Sequence, residues 1–246
     1  MPFLVVGAIA GSIPGLPNEL PSSAFMFVCP AVAAYLVAGR SGRRALTRWA
    51  LRMGTPDAMP WIAVALMLVP ALLLLAYTLL WLGGAHTHAD PPWRMLPVFL
   101  VVFLIAALAE EIGWTGYVLG PLRHRLDATT AGLLLGLVWA VWHLIPLLQV
   151  GRTVAWIGGW FVSTVALRVL IVSVYEASGG LALTATTVHA TSNVGSSLFP
   201  GYTTAPAMWV VGMVTAAAAL FCVLLRSSAV TCPPGSVRPQ RRRRYA

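Results

Sequence analysis

The chain has 246 residues, of which 59% are hydrophobic and only 9% charged. That balance excludes an ordinary soluble domain and fits a protein that crosses a bilayer several times. The formal net charge of +9 comes from 16 basic residues, all arginine, against seven acids; the arginines cluster at the ends of apolar runs, which reads as membrane orientation and excludes a nucleic-acid surface.

Apolar runs fall at 3–16, 23–39, 60–82, 96–119, 129–148, 153–175, 179–199 and 206–225. A span needs about 20 residues at a rise of roughly 1.5 Å each. The first run is short, ends in Gly15-Leu16-Pro17 and has no basic region before it, so it reads as a short first span and not as a cleaved signal. The second is also short and contains Pro30. The seventh is rich in Thr, Ser, Gly and Ala, so its place is among other helices and not against lipid. The expected fold is all-α, a polytopic membrane helix bundle of about eight transmembrane helices, with seven as the alternative.

Between the second and third runs, Ser41 to Gly54 reads either as an amphipathic interfacial helix or as a basic orienting loop. His86, His88 and Asp90 share a short loop expected on the outer face. They could ligate a metal, but a solvated loop is the simpler reading. His124 lies among arginines and is assigned no chemistry. Cys29, Cys222 and Cys232 are scattered, odd in number and not in metal-binding spacing. Residues 1–232 are read as one membrane domain. The Pro-rich and then Arg-rich tail, 233–246, is expected to be disordered and drawn to anionic headgroups.

Charge sets the expected orientation. Thirteen arginines lie after the second, fourth and eighth runs, and only Arg94 and Arg152 lie in the opposite loops. The first group belongs in the cytoplasm, which puts both termini there and the chain in the cell membrane as a multi-pass protein.

Few strongly polar side chains then remain inside spans: Glu110 and Glu111 in the fourth, His143 in the fifth, Arg168 in the sixth, and His189 and Asn193 in the seventh. An acid at the bilayer centre costs roughly 2.5–3.5 kcal/mol on an insertion scale, so two adjacent ones must face partners, protein interior or water. Counted from the cytoplasmic ends, Glu110, His143, His189 and Asn193 reach similar depths of roughly 15–22 Å. That agreement is the argument for a site. His189 and Asn193 are four apart and share a helix face, as do Trp139 and His143; for any of these alone, a helix–helix hydrogen bond is the default reading. Glu110 and Glu111 point about 100° apart, so both can line one cavity without sharing one position. Close like charges can hold one carboxyl protonated, while a buried ion pair with Arg168 is the competing reading. No His-Glu-x-x-His zinc helix, Gly-x-Ser-x-Gly elbow, Walker loop or dinucleotide fingerprint is present.

The arrangement resembles the CAAX protease and bacteriocin-processing (CPBP, or Abi) family of intramembrane proteases. The family's Glu-Glu-x-x-x-Arg motif is matched by Glu110-Glu111-Ile112-Gly113-Trp114-Thr115, its Phe-x-x-x-His by Trp139-Ala140-Val141-Trp142-His143, and its His-x-x-x-Asn by His189-Ala190-Thr191-Ser192-Asn193. The likeness covers the fourth run through the seventh, a core at about 96–199. Trp139 for Phe is a mild departure. Thr115 for Arg is larger, because Thr cannot neutralise Glu111. Either Arg168 takes over that pairing or Glu111 is protonated.

The resemblance implies an intramembrane endopeptidase acting on a peptide or protein substrate, in some relatives a lipid-modified one. Glu110 and His143 would activate water. His189 and Asn193 would stabilise the oxyanion. Glu111 would orient the site. Two histidines and a glutamate can also form a zinc shell, so Zn2+ or another divalent metal and a metal-free mechanism both stay open. The alternative is a catalytically impaired CPBP-fold protein acting in bacteriocin immunity or as a scaffold.

Overall fold

A computed structural model describes residues 26–85, 91–199, 202 and 204–231, with only the backbone for 228–231. The first apolar run, the histidine pair at 86 and 88, and the arginine-rich tail lie outside the described residues. Eight α-helices follow in order: α1 Val28–Val37, α2 Arg40–Ala50, α3 Met59–Leu82, α4 Leu96–Glu111, α5 Ala128–Gln149, α6 Val154–Ala177, α7 Ala182–Leu198 and α8 Ala205–Thr231. The α4 rod continues through a π-helical stretch, Ile112–Leu119, into a last turn, Gly120–Arg123. No strand occurs among the described residues.

Among the described residues, five helical stretches are long and apolar enough to cross a bilayer: Pro56–Leu82, Trp93–Arg123, Ala128–Gln149, Val154–Ala177 and Ala205–Ser227. The chain is therefore an all-helical, multi-pass membrane protein. The other two apolar runs within the described residues form shorter helices. The 10 residues of α1 rise about 15 Å, half of a hydrocarbon core. The 17 residues of α7 bury most of their positions between Ala182 and Ala190. A Thr- and Ser-rich helix of that length belongs inside the bundle, as its composition suggested.

In lipid the hydrophobic effect gives no drive between helices, so contact depends on small residues that let backbones approach. Gly132 and Gly136, four apart on α5, do this against α6. A Cβ on Gly136 would lie 2.9 Å from the Val165 Cα, and one on Gly132 would lie 3.1 Å from the Val169 Cα. On the opposite side of α6, Gly159 meets the Met208–Trp209 backbone and Gly212 meets the Gly159 carbonyl. Helix α6 is thus clasped between α5 and α8, with 67% of its membrane window buried. Its Arg168 is wholly enclosed at 0% exposure.

The segment at 41–54 is mostly helix. Helix α2 exposes Arg40, Arg43, Arg44 and Arg48 and buries Leu46 against Ala34 and Ala38, the pattern of a helix lying at an interface. It is tied to the α6–α7 corner by Trp49 Nε1, which donates to the Tyr175 hydroxyl at 2.9 Å, and by Arg52, which donates to the Gly179 carbonyl at 2.8 Å. Gly179 and Gly180 turn that corner with φ of +72° and +76°, a region glycine enters without steric cost.

Candidate functional site

Glu110 and Glu111 are the last two residues of α4. The backbone widens immediately after them into the π-helical stretch, a local geometry that recurs at functional sites. Consecutive positions send the two carboxylates in different directions, and they meet different partners.

Glu111 is fully buried and receives donors from three helices. Nη1 of Arg168, on α6, lies 2.8 Å from Oε1 and 2.9 Å from Oε2. Nδ1 of His189, on α7, donates to Oε1 at 2.9 Å. Thr115, one turn on in the π-helical stretch, donates its hydroxyl to Oε2. Of the two ways of accommodating Thr115 at the family's arginine position, the structure has the guanidinium arriving from α6. Thr115 keeps a hydrogen bond to Glu111 but carries no charge.

Glu110 meets a neutral donor instead. Trp139 Nε1, on α5, donates to Glu110 Oε2 at 2.9 Å. The same indole stands over Arg168, whose guanidinium carbon is 4.1 Å from a Trp139 ring centroid. The His189 ring lies edge-on at 4.8 Å and the His143 ring at 5.8 Å. Glu110 therefore shares one tryptophan with both histidines. Only 7% of Glu110 is exposed.

His143 is half-buried, and its Nδ1 lies 2.8 Å from the Trp139 backbone carbonyl. A carbonyl only accepts, so Nδ1 carries the proton and Nε2 of the neutral ring is an acceptor. At His189 the carboxylate likewise makes Nδ1 the protonated nitrogen. Asn193 lies one turn beyond His189 on α7 and is half-buried. Its side-chain amide makes no hydrogen bond to another described residue. Glu110, Glu111, His143 and His189 are thus gathered around Trp139 and Arg168, with Asn193 a turn away.

Two features were hard to see in the sequence. Arg168 was visible as a charge inside a span, and its pairing was one of two alternatives. Trp139 reads in the sequence as a mild departure from Phe that shares a helix face with His143. Its position four residues before His143 was the available signal, but an indole N–H aimed at Glu110 depends on how α5 is rotated against α4.

Glu111 is not available to a metal. No three His, Cys, Asp or Glu side chains among the described residues converge as a metal requires. Both oxygens of Glu111 are occupied by Arg168, Thr115 and His189. No step is derived through a metal.

Residues 92–195 match the family model of the type II CAAX prenyl endopeptidase Rce1-like proteins. The CAAX prenyl protease 2 of Methanococcus maripaludis is 33% identical over 103 residues, which is 37% of this chain and 36% of that protein. The chain thus aligns with about a third of that relative's length. The matched segment runs from just before α4 to two residues past Asn193 and contains all three motifs.

Proposed function

We propose that this chain, whose residues 92–195 match the Rce1-like family model, is an intramembrane endopeptidase of the CPBP type that depends on glutamate and histidine. The observation that supports this most is the different company of the two adjacent acids. Glu111 takes the charged partners, whereas Glu110 has a single neutral donor among the described residues. A carboxylate already paired with a guanidinium is a poor base, and one held through a single oxygen by a neutral N–H keeps its second oxygen for water.

In this reading a water lies between Glu110 and Nε2 of His143. Glu110 takes its proton as the oxygen attacks the peptide carbonyl. The resulting oxyanion is held by the Asn193 amide and by His189, which shares that face of α7. When the C–N bond breaks, the leaving amine takes the proton back from Glu110. Water, protons and charge balance within the chain's own groups.

The substrate we favour carries an apolar modification. A cavity of about 380 Å3 opens between α1, the π-helical stretch and α5, lined by Pro30, Ala33, Val37, Trp114, Tyr117 and Trp142. It adjoins the catalytic segment, since Gly113 and Trp142 on its wall are three residues after Glu110 and one before His143. Its chemistry suits an acyl or prenyl chain beside a peptide.

Glu110→Gln is the test. Peptide cleavage by purified protein in detergent or liposomes should fall by about 100-fold or more, in the range of a lost general base, with insertion and thermal unfolding unchanged. An immunity or scaffold protein would keep its cellular function in this variant, and that result would remove the protease reading.

A further inference from the structure

We propose that Trp139 is a positioning residue that gives the two adjacent carboxylates their separate roles; the catalytic part of this rests on the hydrolytic reading above. An aromatic ring has a negative face and a positive edge. At Trp139 both are used. The face lies 4.1 Å from the Arg168 guanidinium carbon, and the edge presents Nε1–H to Glu110 at 2.9 Å. The ring therefore contacts both the cation and Glu110, giving Glu110 a neutral donor while Arg168 pairs with Glu111, 2.8 Å away.

The same residue also orients the imidazoles. Its backbone carbonyl fixes the Nδ1–H form of His143, and its ring closes against the edge of His189. It is 5% exposed, so none of these contacts competes with water. A phenylalanine here could cover Arg168 and pack on His189, but it could not donate to Glu110. The departure from Phe to Trp at this motif position, mild in the sequence, is thus a gain of a hydrogen-bond donor.

The test removes the N–H and leaves the shape. Trp139 is replaced by 3-benzothienylalanine, which has sulfur in place of the indole N–H, and in parallel by Trp139→Phe. Both proteins should insert and fold, with an unfolding temperature lowered more in Trp139→Phe, which also loses core volume. The expected result is a kcat lower by about 10–100-fold, the scale of one hydrogen bond to a charged group, with KM within about twofold of wild type. A kcat within about twofold of wild type for the benzothienyl protein overturns the proposal, as does a raised KM with kcat unchanged.

A second measurement needs no turnover. With 5-fluorotryptophan incorporated, the Trp139 19F resonance is the one lost in Trp139→Phe or in the benzothienyl protein. It should move in Glu110→Leu and stay in place in Leu148→Ala, a remote control on α5. A resonance unmoved by Glu110→Leu means that Trp139 does not hold Glu110, whatever the activity. Wild-type protein that cleaves no peptide removes the protease reading, while the resonance still decides the contact.

Discussion

At the scale of single residues, the Glu111–Arg168 pair has the most at stake. Both side chains are fully enclosed, and two Arg168 nitrogens, Nε and Nη2, have no described partner. Breaking such a pair from one side leaves a charge without compensation and costs about 3–5 kcal/mol, whereas replacing both partners by apolar groups is often close to neutral. Arg168→Leu should therefore lower stability by about 3–5 kcal/mol, and Arg168→Leu combined with Glu111→Leu should be more stable than Arg168→Leu alone. Denaturant or thermal unfolding in detergent measures both. Additive losses in the double variant would show that the two side chains are not energetically coupled. The identities of the acids, imidazoles and amide were legible in the sequence because polar groups inside spans are rare. Their pairing was not, because it depends on how α4, α5, α6 and α7 rotate against one another.

At the scale of helices, length and composition predicted most of the structure, and packing decided the rest. The long runs became α3, α4, α5, α6 and α8. The second run forms the short α1, which ends at Val37, and the chain turns at Ala38 and Gly39 into the arginine-rich α2. The start of α5 has its own signal, Asp127, whose carboxylate accepts from the backbone N–H of Thr129 at 2.9 Å and of Thr130 at 3.1 Å. Hydrogen bonds from the Thr130 hydroxyl and then its backbone N–H hold the Asp127 pKa below the ordinary aspartate value. A lowered folded-state pKa means that this contribution is complete above the unfolded value of about 3.9 and is lost as pH falls through the folded one. Asp127→Ala should cost about 1 kcal/mol near neutral pH, and the difference from wild type should shrink as pH drops below about 4. An undiminished difference in acid would mean that the cap does not act through its charge.

For the whole molecule, the bundle is built around α6, which is gripped by glycines of α5 and α8 and carries its arginine into the centre. The composition announced a membrane protein, and three spaced motifs pointed to the site. The path of α6 through the middle was not legible, since GxxxG contacts such as Gly132–Gly136 do not name the helix they face. Orientation remains a prediction from charge: a fluorescent reporter joined after Ala246 should glow in the cytoplasm, while a periplasm-active phosphatase at the same point should be silent. The reverse pattern would overturn both the arginine rule here and the depth argument built on it.

The enclosed guanidinium of α6 also bears on biogenesis. A newly made α6 leaving the insertion machinery carries a central arginine, which lipid alone accepts at a penalty of roughly 2.5–3.5 kcal/mol. Its counter-ion, Glu111, was synthesised earlier, on α4. The nascent chain therefore has a reason to keep α4 beside the insertion channel until α6 emerges. A protomer that misses this meeting displays two lone ions in hydrocarbon, which membrane quality control can recognise.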